Sequence, residues 1–245
     1  MSDPKILFWD TEWTPAISYT WSNRPKFLSN EFLVEPARLL CWGARWYDKK
    51  KVILSDEREG RMEMLTGLRD ILTEADMVVS YNGQAFDTRK VNSEFMQLGI
   101  TPPAPYKEID LYRVIKKHAS FYSHKLDFVG EHIIGQRKVD TGGFALWKEV
   151  MGGDEKAWKK MLRYQKQDVN LLVELFDELK PWIRMPHPIS AKPGIVCRNC
   201  GGEDLQRRGT ARTLQGEYPR FSCKSCGSWS RGLYRTPVGE TRAIS

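Results

Sequence analysis

Two cysteine pairs restrict the C-terminal end of this chain more tightly than any other feature. Cys197 and Cys200 in "CRNC" and Cys223 and Cys226 in "CKSC" are separated by twenty-two residues. The segment 195–235 is too short to bury a core that would hold it folded alone. Four thiolates in two close pairs suit one tetrahedral Zn²⁺, and binding the ion then supplies the folding energy. Redox-active cysteines are the alternative, but they do not call for two pairs flanking a hairpin. "LQRRGTART", the turn "LQGEY" and "PRFSC" read as that hairpin. The fifth cysteine, Cys41, lies in the apolar run "ARLLCWGARWYD" and reads as a buried small hydrophobe.

A break precedes the cysteines. "RMPHPISAKPG", residues 184–194, holds Pro186, Pro188 and Pro193 and reads as a linker. Charge changes across it. Residues 1–183 carry 27 Lys/Arg and 27 Asp/Glu, whereas residues 184–245 carry 11 and 4, so the whole excess of +7 lies in the tail. A basic appendage on a neutral body points to a polyanion such as nucleic acid; a basic surface kept for solubility is the plainer alternative. The expected domains are 1–183, a linker 184–194, a metal module 195–235 and a tail 236–245.

The first 183 residues have ordinary globular composition. No apolar run is long enough to span a membrane. The start "MSDPKILFWD" lacks a signal-peptide core, so a reducing cytoplasm is the expected location. "KILFWD", "ARLLCWGARWYD" and "KKVILS" read as strands, and "GRMEMLTGLRDIL" has helical apolar spacing. "DMVVS" reads as a short buried strand, "YNGQAFD" as a loop, and a helix opens at Asp87 and runs to about Leu98. "DLYRVIKKH" and "KLDFVGEHII" read as short helices, and a long one runs from an Asp154 cap to Leu179, ahead of Pro181. The expected class is α/β with a mixed sheet and flanking helices, plus the small cysteine hairpin.

Acidic residues stand where this arrangement can gather them. Asp10 and Glu12 end the first strand in "ILFWDTEW" and share one face by the period of two. Their repulsion favours a cation between them; a solvated strand end is the alternative. Asp87 opens a helix and reads equally as its N-cap. Asp168 is in line with Leu172, Leu175 and Leu179 and therefore faces inward, where an acid needs a partner. Tyr164, four residues earlier, shares that face, as a working hydroxyl or as a core aromatic. Four carboxylates converging at one sheet end would suit hard divalent cations, Mg²⁺ or Mn²⁺. Two such ions can activate a water and stabilise a leaving oxygen at phosphorus.

"WDTEW", "YNGQAFD" and "YQKQD", in that order, resemble the three motifs of the DEDD (DnaQ-like) 3′–5′ exonuclease superfamily, which has a ribonuclease H-like fold. Tyr-x-x-x-Asp is the tyrosine subclass; the histidine subclass would need His where Arg163 stands. "SHKLDFVGEHIIG" resembles a segment of family-B polymerase proofreading domains. The nearest likeness, over residues 5–180, is to stand-alone YprB-type exonucleases, some of them phage-encoded. The cysteine segment resembles a zinc ribbon.

The resemblance implies two Mg²⁺ or Mn²⁺ ions, with Asp10 bridging both. Glu12 and Asp168 would hold the ion carrying the attacking water, Asp87 would support the second ion, and Tyr164 would orient the water. The Thr11 backbone would meet the terminal 3′ hydroxyl, with Asn82 and Lys125 as further substrate contacts; Asn82 is equally an Asx-turn residue. Trp13, Tyr19, Trp21 and Phe27 either stack on unpaired bases or pack a hairpin or core edge. His118, His124 and His132 show no ligand-like grouping.

The expected activity is metal-dependent 3′–5′ exonucleolysis of single-stranded ends, DNA favoured over RNA. Arg207, Arg208, Arg212 and Arg220 of the ribbon would contact phosphate. A non-catalytic nucleic-acid adaptor, or a ribbon that docks a replication or repair protein, are the alternatives from other classes.

Overall fold

The structure, a computed structural model, describes residues 3–137, 142–186, 189 and 194–233. Pro188, Pro193 and the expected tail 236–245 lie outside the described residues. The chain divides into two compact units, Lys5–Phe176 and a second one that holds the described residues from Asp177 onward.

In chain order the strands and helices of the first part are β1 (Ile6–Trp13), β2 (Ile17–Ser18), β3 (Leu33–Glu35), β4 (Leu39–Trp46), β5 (Ile53–Asp56), α1 (Arg61–Thr73), β6 (Met77–Ser80), α2 (Asp87–Leu98), β7 (Lys107–Asp110), α3 (Leu111–His118), α4 (Leu126–Ile134), α5 (Ala145–Met151) and α6 (Glu155–Leu179). Five strands form one mixed sheet in the order β5-β4-β1-β6-β7. β1 pairs antiparallel with β4 and parallel with β6. The expected α/β class with a mixed sheet is what the chain adopts. The elements of this part unforeseen from sequence are β7, α5 and the two-stranded ribbon β2-β3.

β1 is central, and each of its faces is covered. Leu7, Trp9 and Trp13 enter a cluster with Leu65 and Leu68 of α1 and Val91 and Phe95 of α2. Phe8 points the other way, and its ring meets Phe176 of α6 edge-on, with centroids 5.2 Å apart. By alternation, Asp10 and Glu12 share the Phe8 face, and Thr11 shares the Trp9 face. This division of β1 between α6 and α2 decides where each acid goes.

α6 begins as expected. Asp154 Oδ1 accepts the Ala157 N–H at 2.8 Å, satisfying one donor of the first turn. Its inward residues Asp168, Leu172, Leu175 and Leu179 are all buried. The helix lies close against β4 because Gly43 has no side chain. A Cβ there would stand 3.0 Å from Gln165 Cγ and 3.1 Å from Val169 Cγ2. Gly43→Ala is therefore expected to destabilise the fold by about 1–3 kcal/mol through overpacking. Thermal unfolding checks this, and an unchanged midpoint would contradict the close approach.

The second unit holds β8 (Leu205–Thr213), β9 (Gly216–Cys223) and β10 (Trp229–Arg231), an antiparallel sheet in the order β10-β9-β8. The turn is tighter than the sequence suggests. Thr213 pairs with Gly216, leaving only Leu214 and Gln215 between the strands. Residues 183–186, at the start of the Pro-rich stretch, are tied within this unit. Arg198 donates to the carbonyls of Met185 and Pro186, Asn199 donates to that of Ile183, and Met185 is buried.

Candidate active site

Three of the predicted acids come together. One carboxylate oxygen each from Asp10, Glu12 and Asp168 lie within 4.8 Å of one another. Asp10 and Glu12 are half-buried on β1, and Asp168 is fully buried on α6. The cause is the face rule above: α6 covers the Phe8 face, and two residues along that face is Asp10. Hard cations such as Mg²⁺ or Mn²⁺ prefer such a donor set, and the triad fits one.

Gln165, which the motif reading passed over, steadies the site. Its Nε2 donates to the Asp10 carbonyl at 2.7 Å and to Asp10 Oδ2 at 3.3 Å. It is completely buried. The available signal was its place three residues before Asp168, on the same helical face.

Asp87 does not stand in that group. α2 brings it to the other face of β1, where its Oδ1 accepts the Thr11 hydroxyl. Trp13 Nε1 donates to the same hydroxyl oxygen at 2.8 Å. Lys90, one turn along α2, puts its Nζ 4.4 Å from the Trp13 ring centroid and 4.2 Å from that of Phe86. Burial pushes the Asp87 carboxyl up to about 6, while the Thr11 hydrogen bond and the Lys90 charge act against it. Trp13 is buried and packs in the core, which resolves its two sequence readings in favour of packing.

The remaining predicted residues are spread more widely. The Tyr164 ring is buried in a cluster with Leu40, Cys41 and Met161 and meets Trp147 edge-on. Asn82 has φ +62°, a left-handed conformation suited to the tight loop between β6 and α2. Its N–H donates to Asp110 Oδ1 at 2.8 Å, and that same oxygen accepts the N–H of Tyr112 and so caps α3. Lys125 is exposed at the start of α4.

The four cysteines form the second group. All four Sγ atoms lie within 4.8 Å of one another, with Cys197 and Cys226 at 3.6 Å and Cys200 and Cys223 at 3.7 Å. Four sulfurs at Zn–S of about 2.3 Å in a tetrahedron would stand about 3.8 Å apart, so the cluster fits zinc. Burial acts to raise the Cys197 thiol, but the Ser228 hydroxyl and the N–H groups of Asn199 and Cys200 outweigh it and bring it down to about 7. Among the described residues no histidine joins either group. Arg207, Arg208, Arg212 and Arg220 are all exposed on β8 and β9. Arg220 lies over the Trp229 ring at 4.9 Å, and Arg212 pairs with Glu217 at 2.9 Å.

Residues 38–180 match the family model described as RNase_H superfamily. The chain belongs to that superfamily. The match starts after β1, so the two acids that close β1 are an addition to what the family model covers. The RNase_H superfamily domain is also similar in fold to the structure of the family B DNA polymerase from the hyperthermophilic archaeon Pyrobaculum calidifontis. The TM-score is 0.56 at 18% identity, over 73% of this chain and 25% of that one. This chain thus spans only a quarter of the polymerase's length. No curated protein matches the sequence. Among the described residues, no helix of the chain is long and apolar enough to cross a membrane.

Proposed function

We propose that the chain is a metal-dependent 3′–5′ exonuclease of the DEDD tyrosine subclass, acting on single-stranded nucleic acid with DNA favoured. The observation that carries this reading is the meeting of Asp10, Glu12 and Asp168 within 4.8 Å. Superfamily membership and the polymerase-like fold support it. In this reading residues 1–183 form the catalytic domain and the four-cysteine module, 195–235, assists binding.

Asp10, Glu12 and Asp168 would hold divalent ions, with Asp87 supporting a second one from across Thr11. Bound there, such ions supply an activated water and charge stabilisation at the leaving oxygen. The chain's own residues do the rest. Gln165 fixes the backbone and carboxylate of Asp10 together, which limits the rotamers open to it. Thr11 holds Asp87 and offers its backbone to the terminal 3′ hydroxyl. Asn82 and Lys125 are further candidates for substrate contact. Tyr164 orients the nucleophilic water, its ring held by the core.

Tyr164→Phe is expected to slow cleavage by about 10–100-fold, the effect of losing one positioning hydroxyl, while metal affinity is kept. Titration with Mn²⁺ alongside single-turnover rates checks this, and a loss of affinity as severe as that of Asp168→Ala would remove Tyr164 from the role. The reading as a whole is tested by incubating the protein with 3′- and 5′-labelled DNA and RNA strands in Mg²⁺, Mn²⁺ or EDTA. A metal-dependent ladder that starts at the 3′ end is expected. Binding without any cleavage would favour the adaptor.

A further inference from the structure

Between β1 and β4 the chain leaves the main sheet and returns. Thr14 N–H donates to the Arg38 carbonyl and Arg38 N–H to the Thr14 hydroxyl, both at 3.0 Å, closing the base of an excursion over residues 15–37. That base lies two residues beyond Glu12, at the acidic end of the sheet. The excursion is built on the ribbon β2-β3, with Tyr19 N–H donating to the Phe32 carbonyl at 2.9 Å. A two-stranded ribbon is marginally stable unless something covers it.

Its side chains do not cover one another. Tyr19 is 74% exposed, Trp21 95% and Phe27 84%. Of the eighteen exposed large hydrophobics among the described residues, eight fall within residues 17–34. Apolar exposure on this scale marks a contact surface. The charges in the segment select among partners. Residues 17–34 contain Arg24 and Lys26 against one acid, Glu31, and in sequence both cations lie between the exposed rings of Trp21 and Phe27. Three exposed rings interleaved with two cations match the way unpaired bases and their phosphates are held, by stacking and charge.

We infer that the segment 17–34 is a stacking platform for the unpaired bases of a nucleic-acid strand whose end lies at the acidic cluster. The inference rests on the nuclease reading for the position of that end, and it narrows the substrate to strands with accessible bases. Duplex ends must first open to use the platform, because paired bases present no free face. Trp13 takes no part, being buried. The rings act on binding and on the grip of the strand, not on bond cleavage.

The test uses the full chain carrying Asp10→Asn to prevent turnover, with its zinc retained. Binding is measured for a fluorescent 12-nucleotide DNA and for the same length with abasic sites throughout. Trp21→Ala with Phe27→Ala is expected to weaken binding of the first by about tenfold or more and to leave the second unchanged. Trp21→Phe with Phe27→Tyr, which keeps the rings, is expected to restore most of the affinity. Equal losses on both strands, or no loss on either, would overturn the platform. So would a change from dimer to monomer in sedimentation with binding intact, since the surface would then be a contact between copies. Cleavage is not read in this assay, so a failed platform and a failed nuclease reading give different results.

Discussion

Asp168→Ala abolishes cleavage, lowering the rate by about 10³-fold or more, while the metal-free protein unfolds at the same temperature or a higher one. The two halves of this expectation share a cause. The Asp168 carboxylate is fully buried and lies within 4.8 Å of those of Asp10 and Glu12. Two carboxylates at about 5 Å repel by roughly 3 kcal/mol at an effective dielectric near 20. Removing one relieves that repulsion, and the small space left costs less than a deleted large apolar group. In the proposed reading the same change takes away a donor from the metal site, and several kcal/mol of transition-state stabilisation would go with it. Asp10→Ala is expected to behave alike. Calorimetric scans with and without Mn²⁺, together with single-turnover rates, check both halves. Wild-type cleavage in either variant would end the metal-ion reading of the triad.

Cys197→Ser, or stripping zinc with a chelator, unfolds the three-stranded module and leaves the nuclease core folded. Among the described residues from 195 onward, only Cys197, Asn199, Tyr218, Cys223 and Ser228 are buried. Binding of structural zinc by zinc-finger peptides is worth about 10–16 kcal/mol, which would be folding energy here. Serine in place of one thiolate leaves three ligands and a weaker site. Zinc content should fall below one per chain, and limited proteolysis should cut within residues 195–233 while sparing the first unit. If the exposed arginines of β8 and β9 meet phosphate, the variant binds single strands less tightly and with a shallower salt dependence. Each lost contact lowers the log–log slope by about 0.7. Cleavage of short strands at saturating concentration should persist, because every proposed catalytic residue precedes residue 169. Unchanged affinity and slope would assign the arginines to protein docking instead.

Where local chemistry dominates, the chain's reading from sequence and its structure coincide. The cysteine spacing implied a hairpin with four converging thiols, and the Sγ atoms meet around one point. The Asp154 cap and the long helix to Leu179 stand as read. Not every short element was legible. The four-residue β6 shows itself by the apolar run Met77–Val79, whereas β7, equally short, is the mixed "KEID", and α5 has only seven residues for a period to declare itself. Gln165 was missed because its part depends on the Asp10 backbone, 155 positions away in sequence.

The sequence by itself determined which residues share a face. Asp10 and Glu12 must point together from β1, and Asp168 must point inward with Leu172 and Leu175, because strand and helix periods are fixed by backbone geometry. Only the tertiary structure decided which faces meet. The sheet order and the laying of α6 over Phe8 bring Asp168 to the first pair, while α2 covers the opposite face and carries Asp87 to Thr11. The same folding step sent Trp13 into the core and left Tyr19, Trp21 and Phe27 outside. Neighbouring aromatics look alike in sequence; burial separates them, because it depends on what packs against each one.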